Sequence, residues 1–180
     1  MLGLGLRWLA PEAAGQIASK LISPLMNVIK ATPVASFIIL LLLWIGNSAV
    51  PMTITALMAL PIFWANVKTG LTASDPGLLE VARVYGLSQK EIWKYNYVPA
   101  ALPYFYSALR SAIGFGWKAG IAAEVLTVPR LAIGKQIFES KVNLETTDLF
   151  AWTLLVILLS LALEALAMLL LKKTKETFDS

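Results

Sequence analysis

The sequence has no cysteine and no histidine, and only 14% of its 180 residues carry a charge. The lack of cysteine excludes disulfides and thiol chemistry, and the lack of histidine excludes imidazole bases and the usual zinc sites. A soluble domain is about one quarter charged, whereas here 58% of the residues are hydrophobic and are gathered in blocks. The sequence therefore predicts an all-α, polytopic membrane protein that needs no metal and no cofactor.

Residues that carry hydrolytic chemistry are also missing from the apolar blocks. An aspartyl intramembrane protease needs a pair of Asp side chains within the membrane, but Asp75, Asp148 and Asp179 all lie outside the blocks. A rhomboid-like serine protease needs histidine. The nearest approach to a phosphate-binding loop, 129–136, has proline where the first glycine belongs and glutamine after the lysine. We therefore expect no enzyme activity, and no ATP hydrolysis by this chain itself.

The net charge of +4 does not indicate a nucleic-acid binder, because Lys and Arg stand at the ends of the apolar blocks. We expect membrane lipid, and no nucleic acid, as a partner. Lys172, Lys173 and Lys175 follow the last block, which predicts a cytoplasmic C-terminus. Counting back across two spans places residues 75–99 in the cytoplasm and residues 129–148 outside.

The apolar blocks divide the chain into three regions. Residues 1–32 contain a span remnant, Leu2 to Ala10, and a segment expected to lie near the membrane interface. Residues 33–171 form the membrane domain, and residues 172–180 form a charged cytoplasmic tail. About four full spans are predicted, at 33–46 with Val28 and Ile29 upstream, 49–67, 100–128 and 149–171.

Ionisable side chains within or near these spans are Arg110, Lys118, Glu124 and Glu164. Such groups are expensive in a membrane and often functional. Two interpretations remain open. They have a structural role near span ends or between helices, or they line a transport path, as in a secondary transporter or channel. Lys118 and Glu124 are too far apart in sequence for one helix to pair them.

Small residues recur at every fourth position of the 100–128 segment, at Ala112, Gly116 and Gly120. Residues four apart lie on one helix face, where small side chains allow the backbone of another helix to approach closely. We therefore expect this stripe to be a helix-packing surface.

The most informative segment is the polar stretch 75–99. Asp75 is a good N-cap and Pro76 a good first helical residue. Gly86 follows where a left-handed C-cap residue is wanted. Ser88 to Glu91 is a capping box that starts a second helix, and Pro99 is expected to stop that helix before the next span. A short exposed helix is marginal in water, so this helical hairpin predicts a partner surface outside the membrane.

The hairpin resembles the EAA signature of permease subunits of binding-protein-dependent ABC importers. The match reads E-V-A-x3-G-x12-P and is carried by Glu80, Ala82, Gly86 and Pro99. The departures are Val81, Asn96 and Val98, of which Asn96 is the least conservative. The runs P-L-M-N-V-I-K-A-T-P-V-A-S-F-I-I-L, W-K-A-G-I-A-A-E and F-A-W-T also resemble permeases of the nitrate, sulfonate and taurine group.

The resemblance implies the methionine-importer-like fold of a type I importer permease in the bacterial inner membrane. It implies a second permease subunit forming a homodimer, cytoplasmic ABC ATPases and an external substrate-binding protein. Residues implied in ATPase coupling are Glu80, Ala82, Arg83, Tyr85, Gly86 and Pro99. Gly86 would let the chain turn between two coupling helices, Glu80 and Arg83 would supply charged contacts, and Leu79, Ala82 and Tyr85 would dock or support the hairpin.

The family also sets two expectations about the whole protein. The solute is expected to be a small anion, such as a sulfonate or nitrate, or a thiamine-precursor-like compound. The family's core begins with a span that this chain reduces to Leu2 to Ala10. We therefore expect a truncated product, a misplaced start or a fragment.

Overall fold

The computed structural model describes the backbone of residues 11–178, and within that range the side chains of 11–18, 83, 170 and 172–178 are not described. Every regular element of this range is helical, as predicted. The expected span remnant, Leu2 to Ala10, lies outside the described residues. The elements are α1 (Pro11–Ala31), α2 (Val34–Leu42), α3 (Val50–Thr72), α4 (Pro76–Val84), α5 (Gln89–Ile92), a π-helical turn (Trp93–Tyr97), α6 (Val98–Thr127), α7 (Ile133–Val142) and α8 (Thr146–Phe178).

Two described helices are long and apolar enough to cross a membrane, Val50–Thr72 and Thr146–Leu169. The bent pair Ser19–Ala31 and Val34–Leu42 raises the number to 3 if it counts as one broken span. α6 has sufficient length, at 30 residues, but charged, small and hydroxyl-bearing side chains dilute its apolar content. Length and composition thus support fewer spans than the four expected from the sequence.

The span predicted around 33–46, with Val28 and Ile29 upstream, is not one continuous helix. α2 has only 9 residues, and it meets the preceding helix at an angle of 95°. The break lies at Pro33, which has extended backbone angles of φ −58° and ψ 133°. Proline disfavours a helical conformation of the residue before it and lacks the N–H that would continue a helix. These local effects outweigh the unbroken apolar pattern.

α3 and α6 form the central antiparallel pair, held at three levels. Asn47, just before α3, donates a hydrogen bond of 3.0 Å from Nδ2 to the Thr127 carbonyl. About two turns further along, Thr55 Oγ1 donates a hydrogen bond of 3.2 Å to the Gly116 carbonyl. At the far end Gly70 lies so close to α6 that a Cβ there would come within 2.8 Å of the Ala101 Cα. The two backbones are therefore in close contact along most of their length.

The apolar core surrounds this pair. Its buried members come from α1, α2, α3 and α6 and are Met26, Ile29, Ile38, Val50, Ile54, Met58, Ala119 and Ala123. Trp64 on α3 also donates a hydrogen bond of 3.3 Å to the Ser23 hydroxyl on α1. α1 and α2 thus pack on one side of α3 in spite of the bend between them.

α7 and α8 cover the other side of α6. The start of α7 packs on the end of α6, where a Cβ at Gly134 would clash with the backbone of Glu124 and Val125. A short turn then leads into α8, so α8 starts at this end and runs back along α6. The fold therefore has one end formed by the 129–145 segment and an opposite end formed by the hairpin.

Candidate coupling hairpin and polar groups of the helix bundle

The first hairpin helix, α4, begins with a side-chain cap. Asp75 Oδ1 accepts a hydrogen bond of 2.7 Å from the Gly77 N–H, and Pro76 occupies the first helical position. An acidic N-cap satisfies one of the free N–H groups of the first turn and complements the helix dipole. The helix thus begins where the sequence predicted.

The corner after α4 depends on Gly86. Its φ is 67°, a left-handed conformation that costs other L-residues roughly 1–2 kcal/mol. Across this corner the Leu87 N–H donates a hydrogen bond of 3.0 Å to the Ala82 carbonyl. This is the six-to-one hydrogen bond of a Schellman motif. The positive φ at Gly86 is therefore what lets α4 stop and the chain reverse.

The second hairpin helix, α5, begins with the predicted capping box. The Ser88 hydroxyl and the Ser88 backbone N–H both donate hydrogen bonds to Glu91 Oε2, of 2.7 and 2.8 Å. In return, the Glu91 N–H donates a hydrogen bond of 3.4 Å to Ser88 Oγ. The hydrogen bond from the Ser88 hydroxyl and, to a smaller extent, the one from its backbone N–H lower the pKa of the Glu91 carboxyl from its ordinary value of 4.5. The box therefore rests on an ionised Glu91.

The predicted stop at Pro99 is wrong, because the chain is helical without interruption from Gln89 to Thr127. The π-helical turn Trp93–Tyr97 lies immediately before the proline, and the Val98 N–H bonds back to the Trp93 carbonyl. A π turn widens the helix by one residue, which makes room for a proline that would otherwise clash in the preceding turn. α5 is thus a direct extension of α6.

Asn96, the least conservative departure from the signature, lies inside that π turn. It is only 7% exposed, and its Nδ2 has no hydrogen-bond partner among the described residues. A buried donor without a partner is costly. The sequence pattern alone gave no sign of the π turn, since neither its composition nor its spacing distinguishes it from an α-helix.

The hairpin exposes much apolar surface. Its exposed apolar side chains are Leu78, Val81, Val84, Tyr85, Leu87, Trp93, Tyr95 and Val98. Tyr85, for example, is 80% exposed, whereas Ala82 on the same helix is buried at 7%. Glu80 is exposed beside them, and the side chain of Arg83 lies outside the described residues. Of the residues implied in ATPase coupling, Glu80, Ala82, Tyr85 and Gly86 thus lie on or directly after α4, and Pro99 lies at the start of α6.

The small-residue stripe of α6 faces α3. A Cβ at Gly116 would lie 3.1 Å from Thr55 Cγ2, and a Cβ at Gly120 would lie 2.6 Å from Thr55 Oγ1. Ala112, one turn earlier, is buried at 5%. Thr55 is the residue that the sequence reading missed, since a lone threonine in an apolar run carries no signal of its own. Its hydroxyl needs the space that the two glycines leave.

Glu124 lies between helices and does not form an ion pair with Lys118. Its Oε2 accepts a hydrogen bond of 2.8 Å from the Gly134 N–H in the first turn of α7. The N-cap residue of α7 is Ala132, which has no side-chain oxygen to offer. Glu124 therefore supplies from α6 the N-terminal cap that α7 lacks, and Gly134 is required for that close approach.

The other charged residues are placed differently. Arg110 and Lys118 are exposed. Glu164, on α8, packs against Gly114 of α6, where a Cβ would come within 2.5 Å of Glu164 Oε1. Among the described residues these three side chains form no ion pair. The contact of Glu164 with Gly114 could not be predicted from the sequence, because it joins two helices that are far apart in the chain.

A groove of about 820 Å³ opens between α3, α6, α8 and the turn that follows α6. Its walls are mostly apolar, and its polar members are Ser48, Thr55, Trp117, Glu124 and Arg130. Trp117 Nε1 is buried and has no hydrogen-bond partner in the described part of the chain. The volume lies in the range of small-molecule sites, roughly 300–1,000 Å³.

Comparison with known proteins gives a family match over nearly the whole chain. The family model described as "Binding-protein-dependent transport system inner membrane component" matches residues 3–176. The chain is also similar to the putative aliphatic sulfonates transport permease protein SsuC of Escherichia coli (strain K12), with 30% identity over 109 residues, 60% of this chain and 41% of that protein.

Other curated relatives bear related names. The SsuC protein of Bacillus subtilis (strain 168) is 26% identical over 154 residues, 84% of this chain and 55% of that protein. The bicarbonate transport system permease protein CmpB of Synechococcus elongatus is 36% identical over 75 residues, 42% of this chain and 27% of that protein. The matches thus span between about a quarter and about half of each relative's length.

Proposed function

We propose that this chain, which belongs to the family of binding-protein-dependent transport system inner membrane components, is a permease subunit that couples a cytoplasmic ATPase to solute import through the hairpin 75–99. The family is one of transport permeases rather than enzymes. ATP hydrolysis would then belong to a partner subunit, and the bacterial inner membrane would be the site of action.

The observation that carries the proposal is the capped hairpin with its exposed apolar surface. Two short helices hold their shape through Asp75, Gly86 and the Ser88–Glu91 box. They present apolar side chains such as Tyr85 at 80% exposure. An exposed apolar patch rimmed by polar groups is typical of a protein-binding surface, and a helix laid into a groove is a common way to bind. We assign this surface to the ATPase.

The path from hairpin to bundle supports a mechanical role. α5 continues without a break into α6, and α6 packs closely on α3 at Gly116 and Gly120. A displacement of the hairpin by the ATPase would therefore move α6 as a whole relative to α3 and α8. Such a rigid-body shift between two states is a common basis of alternating access.

The arrangement in the membrane is part of the proposal. α6 would be a further span in addition to the bent α1–α2 pair, α3 and α8, giving the four spans expected from the sequence in a methionine-importer-like fold. The hairpin end and the C-terminus would face the cytoplasm, and the α7 end would face outward toward an external binding protein. A second permease copy would complete the pathway as a homodimer, with lipid around both.

For the solute, the relatives favour a small anion. Their names refer to sulfonates, bicarbonate and nitrate, all of which are anionic. The groove between α3 and α6 is large enough to admit such an ion. It has an exposed cation at Arg130 and a buried N–H at Trp117 that has no hydrogen-bond partner among the described residues. We therefore propose a small oxyanion as the transported class, with this groove on its route.

The test uses the corner of the hairpin. Gly86→Pro forces φ from 67° to about −65° and should abolish co-purification with an ATPase subunit co-expressed from the same transport system, while membrane insertion stays normal. Gly46→Ala is the matched control, because a Cβ at Gly46 meets nothing within 4 Å and the site lies at the opposite end. Unchanged ATPase binding by Gly86→Pro would contradict the coupling role. Transport by the chain without any ATPase would instead favour a secondary transporter or channel.

A further inference from the structure

Glu164 occupies an unusual place in α8. It stands inside the stretch Thr146–Leu169, which has the length and hydropathy of a membrane span. Its carboxylate lies over Gly114 on α6, which has no side chain to obstruct it. Within the described residues no hydrogen bond or ion pair engages this carboxylate. Placing an ionised carboxylate in a membrane segment costs free energy unless a cation pairs with it. Such a cation could come from α6, the helix that Glu164 contacts.

α6 offers two cations, one on each side of Gly114. Arg110 and Lys118 are each four residues from Gly114, so all three lie on nearly the same face of the helix. Each stands about 6 Å along the axis from Gly114 at 1.5 Å per residue. Both side chains are exposed in the structure, and neither has an acidic partner in the described part of the chain. The carboxylate of Glu164 therefore contacts α6 at a position that has a cation about one turn away on each side.

The direction of the side chains distinguishes between them. Side chains of an α-helix lean toward its N-terminus and cover the turn before their own Cα. Lys118 therefore leans back toward Gly114, whereas Arg110 leans away from it toward the hairpin. Because α8 runs antiparallel to α6, Glu164 leans toward the α7 end, which is the side of Lys118. Helix geometry thus favours an approach of Glu164 to Lys118 rather than to Arg110.

We propose that Glu164 and Lys118 form an ion pair that ties α8 to α6 inside the membrane, and that this pair opens and closes as α6 moves. The structure corresponds to the open arrangement, since the pair is not within bonding distance here. α6 is the helix that continues from the hairpin, so its displacement along α8 changes the separation of these two groups directly. Lys118 is then a positioning residue of the transport cycle. The inference rests on the proposed function only in taking α6 and α8 as membrane helices that move.

Cross-linking tests the geometry. The chain has no native cysteine, so Lys118→Cys with Glu164→Cys gives a clean pair for a short bis-maleimide in native membranes. Arg110→Cys with Glu164→Cys is the matched control, because it lies equally far along α6 on the other side of Gly114. We expect efficient cross-linking of the Lys118 pair, altered by addition of ATP to the assembled complex. Equal or preferential cross-linking of the Arg110 pair would overturn the assignment.

Charge exchange tests the energetics in the full complex. Lys118→Glu and Glu164→Lys should each lower the detergent-solubilised chain's resistance to heat and reduce ATP hydrolysis by the complex, and the double exchange should restore both. Arg110→Glu combined with Glu164→Lys should restore neither. Absence of rescue in variants that insert normally would refute the pair, as would wild-type behaviour of Glu164→Gln. Failure of the proposed function looks different, because the unmodified chain would then bind no ATPase while the cross-link still formed.

Discussion

Replacement of Gly120 by alanine should show how strongly the α3–α6 contact depends on single atoms. The added Cβ would lie 2.6 Å from Thr55 Oγ1 but an ordinary 4.0 Å from Thr55 Cβ. To escape, Thr55 must rotate and abandon its hydrogen bonds to the Pro51 and Gly116 carbonyls, of 2.9 and 3.2 Å, or the helices must separate. Overpacking of this kind costs about 1–3 kcal/mol in the free energy of unfolding.

The same contact predicts that a second substitution, at Thr55, should remove the destabilising effect of Gly120→Ala. Thr55→Ala removes the clashing oxygen and loses one interhelical hydrogen bond, which is worth about 0.6 kcal/mol between membrane helices. In that background Gly120→Ala should then cost close to nothing, so the double-mutant cycle should show a coupling energy of about 1–3 kcal/mol, equal to the cost of Gly120→Ala alone. Gly116→Ala should cost less than Gly120→Ala, because its Cβ would lie 3.1 Å from a methyl carbon rather than 2.6 Å from an oxygen.

Unfolding in mixed micelles with increasing SDS measures these differences, with helix content followed by circular dichroism. Gly46→Ala serves as the neutral control, since a Cβ there meets nothing within 4 Å. The reasoning is refuted if Gly120→Ala leaves the midpoint unchanged. It is equally refuted if the penalty persists after Thr55→Ala, because the clash would then lie elsewhere.

Two polar contacts give further expectations. Glu124→Gln keeps an acceptor for the Gly134 N–H and should change the unfolding midpoint little, whereas Glu124→Ala removes the cap of α7 and should cost about 1 kcal/mol; equal effects of the two would argue against capping. Since hydrogen bonds from Ser88 lower the pKa of Glu91 below 4.5, the capping box contributes its stability above that pH and loses it as pH falls through the lowered value. Ser88→Ala should shift the pKa of Glu91 toward 4.5, as measured by carboxyl NMR titration; an unchanged pKa would exclude the Ser88 hydroxyl as the main cause of the lowering.

Local chemistry predicted the hairpin well, because its determinants lie within a few residues of one another. Asp75, Gly86 and the Ser88–Glu91 box each act on backbone groups in the adjacent turn, so residue type and spacing were sufficient. Prediction failed where one local effect competes with another. Pro33 breaks an apolar run that composition alone would keep continuous, and Pro99 is absorbed by a π turn that no sequence pattern revealed.

The polar groups of the bundle show a different limit. Glu124 and Glu164 could be singled out as costly in a membrane, but their neighbours Gly134 and Gly114 lie on other helices. Only the fold shows that each carboxylate fills space beside a glycine. Thr55 illustrates the same point, since its significance comes from two glycines of α6 that lie 61 and 65 positions later in the sequence.

In the proposed mechanism, the unbroken helix from Gln89 to Thr127 would act as a lever with unequal arms. Measured from its contact with Thr55 of α3 at Gly116, it extends about 40 Å toward Gln89 and about 16 Å toward Thr127, at 1.5 Å per residue. A tilt of about 10° around that contact would carry the hairpin through about 7 Å but the far end through only about 3 Å. A large displacement of the hairpin would thus become a small displacement, with a correspondingly larger force, at the end beside the groove.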